Sequence, residues 1–350
     1  MNPLRFEEAV VRSRSGRILL GPITLTIEPG ETLAVCGSTG AGKSLLLELA
    51  CGTRRPDAGA VRSGNHPVHR IAPNRRSVGL LTQDAALYDH LGVVANIAFG
   101  LPGKDLTRVM QAAAVADCTH LVRNDIGRTG ALSGGERRRV ALAKAIAPAP
   151  NCLLLDEPLS GLDPMVRQTV RSRLGNLLQA SQGRTIVAVH DFSDALALGN
   201  RIAILEAGRL LQFGTAEDLI ERPQSAHVAA RIQDPPGSCL RGTLQGNQLL
   251  LPGGRIELAS HELRNGPVVV MIPPYAARLS ENGLRDWIVC AVERTRTGSD
   301  LLVGPPEDAD VAECPLLRIR QDSKAPVGLG DRVTVECTVE PKFIFSYPAD

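Results

Sequence analysis

No stretch of this chain approaches the ~20 consecutive apolar residues that a membrane-spanning helix needs. The N-terminus, Met1-Asn2-Pro3-Leu4-Arg5-Phe6, lacks the apolar segment of a secretion signal. Both absences predict a chain that stays in the cytosol. The eight cysteines include no Cys-x-x-Cys pair, which argues against a zinc site or a redox motif. Four of them, Cys36, Cys51, Cys118 and Cys152, stand in apolar or helical surroundings and read as small core residues. One-sided charge is lacking too. Residues 1–234 hold 27 Lys and Arg against 22 Asp and Glu, residues 235–350 hold 12 against 15, and the net charge is +2. Neither half has the basic density of a nucleic-acid binder, so no nucleic-acid partner is expected. The longest basic run, Arg137-Arg138-Arg139, reads as a solvated helix face.

What is present points to two domains, the better prior for 350 residues. The first two thirds alternate strands and helices. Ile23–Ile27 and Thr32–Cys36 read as strands, joined by a turn at Glu28-Pro29-Gly30-Glu31. Further strand-like runs are Ser77–Leu81, Cys152–Leu155, Thr185–Val189 and Arg201–Leu205. Helical patterns occupy Lys43–Ala50, with Gly52 as the stop, and Leu106–Ala116, Gly135–Ala147 and Pro164–Gln179. Another helix is expected to start at Thr215-Ala216-Glu217-Asp218. The alternation predicts a mainly parallel sheet covered by helices. Composition then changes at Gln233-Asp234-Pro235-Pro236-Gly237-Ser238, a natural linker. Beyond it come short β-rich runs: Leu249–Leu251, Val268–Ile272, Trp287–Val292, Leu301–Val303, Leu316–Ile319 and Val333–Val339. Gly246-Asn247 and Gly253-Gly254 read as hairpin turns, and the whole suggests a small all-β barrel. The division expected is 1–232, a linker over 233–240, and a β-rich domain over 241–350.

Three motifs carry chemistry. Gly37-Ser38-Thr39-Gly40-Ala41-Gly42-Lys43-Ser44 lies between a strand and a helix. Glycines let backbone N–H groups curl around phosphate oxygens, and the helix N-terminus adds positive potential. Lys43 would reach the β- and γ-phosphates, and the Ser44 hydroxyl would ligate Mg²⁺. Asp156 and Glu157 end the apolar run Cys152–Leu155. A buried strand can deliver such carboxylates to the sheet edge where α/β folds bind ligands. There Asp156 would hold Mg²⁺ through water and Glu157 would act as general base; a solvated Asp-Glu-Pro turn is the alternative. Leu132-Ser133-Gly134-Gly135-Glu136 can be a capping box, since Glu136 stands three places after Ser133. Capping alone does not require two glycines, which weaken a first turn.

Loop, Ser-Gly-Gly signature and acidic strand, in that order, resemble the nucleotide-binding subunit of an ATP-binding-cassette transporter over roughly residues 4 to 232. The resemblance implies an α/β P-loop NTPase domain with a helical subdomain, ATP and Mg²⁺ as ligands, and a homodimer. In that family Ser133, Gly134 and Gly135 would touch the γ-phosphate held by the other subunit's Lys43. Glu136 stands where many members have Gln. Gln83 matches the glutamine that senses Mg²⁺ and water and couples to the membrane subunit. Leu87–Leu91 and Ala95–Leu101 look like the importer segments leading into the helical subdomain. His190 matches the histidine that contacts the γ-phosphate. Ser160-Gly161-Leu162-Asp163 matches the loop that acts across the dimer.

The aromatic ring that often stacks on adenine is missing, because Val11–Arg17 contains none. Arg14 or Arg12 could stack in its place, or the base could lie exposed. The C-terminal segment weakly resembles the appended TOBE-like barrel of importers for oxyanions, metals, polyamines and sugars. Met271-Ile272-Pro273-Pro274-Tyr275 lacks the Arg and Glu usual at that turn. The reading is an ATP-hydrolysing importer subunit on the cytoplasmic face of the membrane. Its implied partners are membrane permease subunits and an extracytoplasmic substrate-binding protein. A soluble cassette ATPase acting on nucleic acid or ribosomes, or an exporter subunit, are the alternatives.

Overall fold

Three of the apolar runs are buried at every position: Thr32–Cys36, Cys152–Asp156 and Arg184–Val189. Strands of a parallel sheet need that pattern, because helices cover both of its faces. The structure, a computed structural model, describes residues 1–72, 75–103, 105–124, 129–233, 237–258, 261, 263–273, 276–294, 299–306, 316–321, 327 and 329–346. Contacts divide the chain into two units, Met1–Ala216 and Glu217–Asp350.

The first unit begins with β1 (Leu4–Arg12), β2 (Ile18–Ile27), β3 (Thr32–Cys36), α1 (Lys43–Cys51), β4 (Ala58–Ser63), β5 (His66–Pro67) and β6 (Val78–Leu81). Next come α2 (Val93–Ile97), α3 (Leu106–Val115), α4 (Thr119–Arg123) and α5 (Gly134–Ile146). It closes with β7 (Cys152–Asp156), α6 (Pro164–Ala180), β8 (Arg184–Val189), α7 (Phe192–Leu198), β9 (Arg201–Glu206) and β10 (Arg209–Gly214). The main sheet has the order β10-β9-β3-β8-β7-β6. Its strands are parallel except β10, which returns as a hairpin on β9. A second sheet, β2-β1-β4-β5, is antiparallel. Only the end of β2 is legible in the sequence, because register shifts in β1 break its apolar alternation. Leu4, Phe6 and Ile23 of this sheet share one core with Leu46 and Leu49 of α1 and with Leu154, Ile186 and Leu205 of the main sheet.

The helix ends follow local chemistry. Gly52 takes the left-handed conformation that stops α1, with φ 74°. Ser133 and Glu136 form the expected capping box of α5. Asp163 caps α6, accepting the Val166 N–H at 3.1 Å, with Pro164 in the first turn. Cys36, Cys51, Cys118 and Cys152 are buried thiols. Among the described residues no helix is long and apolar enough to cross a membrane.

Two short helices, α8 (Ala216–Glu221) and α9 (Ala226–Arg231), precede nine strands among the described residues. These are β11 (Ser238–Gln245), β12 (Gln248–Leu251), β13 (Gly254–Glu257), β14 (Gly266–Ile272), β15 (Ala277–Arg294), β16 (Ser299–Gly304), β17 (Leu317–Gln321), β18 (Arg332–Cys337) and β19 (Ile344–Ser346). They form two antiparallel sheets, β13-β12-β11-β14-β19 and β17-β16-β15-β18. One core joins them, with Leu240, Leu249 and Val268 from the first sheet and Trp287, Leu301 and Val335 from the second. Ala226 and Ala229 of α9 pack on Met271 and Phe343, so α9 groups with this unit. Gly246-Asn247 turns β11 into β12 as expected. The next turn is Pro252-Gly253, one residue early, because Gly254 already pairs with Leu251. Asp234, Pro235 and Pro236 of the linker, and Pro274 and Tyr275, lie outside the described residues.

Trp287 is fully buried and donates its indole N–H to the Pro252 carbonyl at 3.3 Å. Trp287→Ala should therefore cost about 3–5 kcal/mol. In denaturant titration the β unit should unfold earlier, and an unchanged midpoint would show that the two sheets do not depend on this side chain.

Candidate functional site

β3 runs straight into the glycine loop. Gly42 has φ +101°, and a Cβ there would stand 2.9 Å from Leu20 Cδ1. A Cβ on Gly37 would stand 2.4 Å from the Leu205 carbonyl oxygen. Sterics thus require glycine at both positions. Gly42 is also the N-cap of α1 and offers no capping side chain. The helix's positive end is left for a ligand to satisfy. A cavity of about 220 Å³ lies here, lined by Ser38, Thr39, Gly40, Gly42, Lys43, Ser44, Gln83, Glu157 and His190.

Lys43 is buried against this cavity. Its ammonium donates to the carbonyls of Gly37 at 2.8 Å and Ser38 at 3.2 Å, and lies 3.4 Å from Glu157 Oε1. His190 Nε2 is 2.6 Å from the same carboxylate oxygen, and its Nδ1 is 3.5 Å from Lys43 Nζ. A neutral His190 carrying its proton on Nε2 satisfies both contacts, donating to Glu157 and accepting from Lys43. Glu157 has φ +50°, a left-handed conformation that costs a non-glycine residue about 1–3 kcal/mol. Its N–H donates to the Ala188 carbonyl at 3.0 Å. β7 and β8 together fix that turn.

Asp156 is buried at the end of β7. Burial raises its carboxyl above the usual range, and the Glu157 charge adds to this; the Ser44 hydroxyl, Lys43 and Arg138 oppose it. Ser44, Gln83 and Asp156 line an adjoining cavity of about 250 Å³. A hydroxyl, an amide and a carboxylate make an all-oxygen donor set, the kind that hard cations take.

Arg138 corrects the reading of the basic run. It is 8% exposed, not solvated. Its guanidinium donates to the carbonyls of Gln83 at 2.9 Å, Asp156 at 2.8 Å and Glu157 at 3.0 Å. Arg137 beside it pairs with Asp89 at 3.1 Å. Arg138 stands three and four residues before buried Ala141 and Leu142, on the same helix face, but three adjacent arginines do not announce which of them turns inward.

Ser133, Gly134, Gly135 and Asp163 do not line the glycine-loop cavity. Ser133 and Gly134 are exposed, and a Cβ on Gly134 would meet nothing within 4 Å. Glu136 accepts both the hydroxyl of Ser133 at 2.7 Å and its N–H at 2.9 Å. A Cβ on Gly135 would lie 3.6 Å from the Gly161 carbonyl, so signature and Asp163 loop are neighbours.

Comparison with known proteins agrees with this geometry. The family described as ABC transporter matches residues 20–160. The chain is 34% identical to the Fe(3+) ions import ATP-binding protein FbpC 2 of Rhodococcus jostii, over 94% of this chain and 95% of that one. The chain belongs to the ABC transporter ATP-binding proteins. Its identity to the spermidine/putrescine import ATP-binding protein PotA of Pseudomonas fluorescens is 38%, over 67% and 66% of the two chains. A bacterial Atm1-family ABC exporter with ATP bound superimposes with a TM-score of 0.58 at 28% identity, covering 66% of this chain and 42% of the exporter. A dimeric ATP-binding cassette in a post-hydrolysis state, bound to ADP and Pi, shares the fold. It gives a TM-score of 0.55 at 23% identity, over 61% and 98% of the chains. As a member of this family the chain is an ATP-binding ATPase of the P-loop α/β fold, followed by a small β domain.

Arg138 positions the strand end without touching the cavity. Arg138→Met should lower kcat for ATP hydrolysis about 10²-fold through misplacement of Asp156 and Glu157, while ATP affinity changes far less. Steady-state turnover with a nucleotide titration measures both. Unchanged kcat would show that β7 and β8 hold the two carboxylates unaided.

Proposed function

We propose that this ABC ATPase is the energy-coupling subunit of an importer, working as a homodimer beneath membrane permease subunits. The observation that carries the dimer is the separation of two half-sites. One is the cavity holding Lys43, Glu157 and His190; the other is the surface with exposed Ser133 and Gly134 and half-buried Gly135, beside the Asp163 loop. Two copies facing each other would bring the signature of one to the phosphate of the other. Such closure also agrees with the open space over Gly134.

In this reading the loop Gly37–Ser44, Ala41 included, cradles the phosphates of ATP, and Lys43 leaves Glu157 to meet the β- and γ-oxygens. Glu157, freed of that pair, accepts the proton of the attacking water. His190 holds the Glu157 carboxylate and reaches the γ-phosphate. Ser44, Asp156 and Gln83 fit Mg²⁺, an ion that takes few protein oxygens and keeps water. When bound it neutralises charge on the transferring phosphoryl group.

Import is favoured by relatives named as import ATP-binding proteins for Fe(3+) ions, sn-glycerol-3-phosphate, spermidine/putrescine and sulfate/thiosulfate. The chain would then sit on the cytoplasmic face of the membrane, with an extracytoplasmic binding protein serving the permease. A surface suited to the permease lies beyond Gln83. There Tyr88 and Phe99 are 37% and 51% exposed, and Lys144 stands 3.7 Å over the Tyr88 ring. Burial lowers the Lys144 pKa.

Glu157→Gln keeps the shape of the site but removes the base, so turnover should fall about 10²–10⁴-fold with ATP still bound. Parental turnover would assign the base elsewhere. The shared site is tested in mixed dimers that carry Glu157→Gln throughout. Lys43→Ala and Ser133→Arg on different subunits put both lesions in one site, and one ATP should be occluded per dimer. On the same subunit they damage both sites, and occlusion should vanish. Equal occlusion in the two arrangements would mean that Ser133 serves its own subunit's site or only caps its own helix. Co-purification from detergent-solubilised membranes should recover a permease and its binding protein; recovery of ribosomes instead would overturn the transport role.

A further inference from the structure

At the end of the main sheet opposite the glycine loop, where β6, β7 and β8 begin, lies a second cavity of about 230 Å³. Arg75, Arg76 and Arg184 line it, and no Asp or Glu does among the described residues. Arg184 is 6% exposed. One of its terminal nitrogens donates to the Asn2 carbonyl at 2.8 Å and to Ser63 Oγ at 3.1 Å. Its Nε is buried with no hydrogen-bond partner among the described residues. Arg76 donates to the carbonyls of Ile71 at 2.7 Å and Cys51 at 2.9 Å. Those partners are neutral, so neither guanidinium meets a carboxylate within the described residues. Arg75 is exposed at the rim.

A buried cation held only by neutral groups is destabilising, and a buried N–H without a partner is rare. The surrounding field is of one sign. Burial is the main cause lowering the His69 pKa, and Arg55, Arg70 and Arg76 push it in the same direction. Burial raises the thiol of Cys152 to about 11, with Arg184 opposing. A ligand carrying two or more anionic oxygens would compensate the charge of the arginines that line the cavity, since guanidinium forks match such groups. The walls between the arginines are apolar, at Leu4, Val68 and Ile71.

We propose that this cavity is a binding site for a small oxyanion, a phosphate or carboxylate group on a body of a few atoms, separate from the nucleotide site. The proposal does not rest on the importer reading, because every residue named lies outside the catalytic cavity.

The test uses the full chain with ADP saturating, so that the glycine loop is occupied. Melting temperature is followed in inorganic phosphate, in succinate, and in potassium chloride at matched ionic strength. At about ten times Kd, at least one oxyanion should raise Tm by about 3 °C over chloride. A response to phosphate alone supports a phosphoryl ligand; a response to succinate alone supports a carboxylate. Arg75→Ala removes an exposed side chain, so it should fold normally and hydrolyse ATP at the parental rate. Its affinity for the anion should fall at least about tenfold. Arg184→Gln should abolish the response; if that variant does not fold, Arg75→Ala decides alone. The proposal is overturned if neither anion exceeds chloride, or if Arg75→Ala keeps the parental response.

Discussion

The site depends on one buried cation. Arg138 leaves the signature helix α5 and gathers the carbonyls of Gln83, Asp156 and Glu157 around a single guanidinium. Burial lowers its pKa, and the charges of Glu157 and Asp156 oppose that shift. Arginine is the residue for this place, because its fixed fork can meet several carbonyls at once and does not lose its proton in a protein. Asp156 and Glu157 cannot move far without stretching those bonds. The helix that begins at Ser133 and the strand end that carries the acids are thereby one mechanical piece. If the signature meets a phosphate in a partner copy, α5 is the rigid path by which that contact reaches Gln83 and the acids.

The charges inside the cavity are balanced among the chain's own groups. Lys43 rests on two carbonyls and on Glu157, and His190 completes the cluster. A nucleotide phosphate would compete with Glu157 for the same ammonium. Nucleotide binding would then separate Lys43 from Glu157, leaving His190 as the side chain against that carboxylate. The left-handed turn at Glu157 serves this arrangement. It is held by the bond to Ala188 on β8, so the carboxylate's position is set by the sheet and not by a loose loop.

Much of this was legible in the sequence, for physical reasons that differ by element. The glycine loop could be read because Gly37 and Gly42 have no sterically allowed substitute. The buried strands could be read because an apolar run between turn residues has few other uses in an α/β chain. The capping box of α5 could be read because it is closed within four residues. Arg138 could not. Whether an arginine is solvated or buried depends on carbonyls 18 to 55 residues away, and three adjacent arginines look alike in sequence. The antiparallel sheet around β1 was hidden by its irregular register. The α9 helix reads as the end of the first domain until its alanines are seen against Met271 and Phe343.

The two ends of the main sheet treat buried positive charge in opposite ways. At the C-terminal end Lys43 has Glu157, and Arg138 lies near two acids, so the charge is compensated within the fold. At the N-terminal end buried Arg184 and half-buried Arg76 have only neutral oxygens as hydrogen-bond partners among the described residues. Those bonds tie neighbouring segments together, but they leave the positive charge without a compensating acid among the described residues. A cation kept at such a place is explained most economically by a charge that arrives from outside the chain. The same asymmetry separates the two cavities chemically, one suited to a phosphate chain followed by a nucleoside, the other to a single anionic group with little attached.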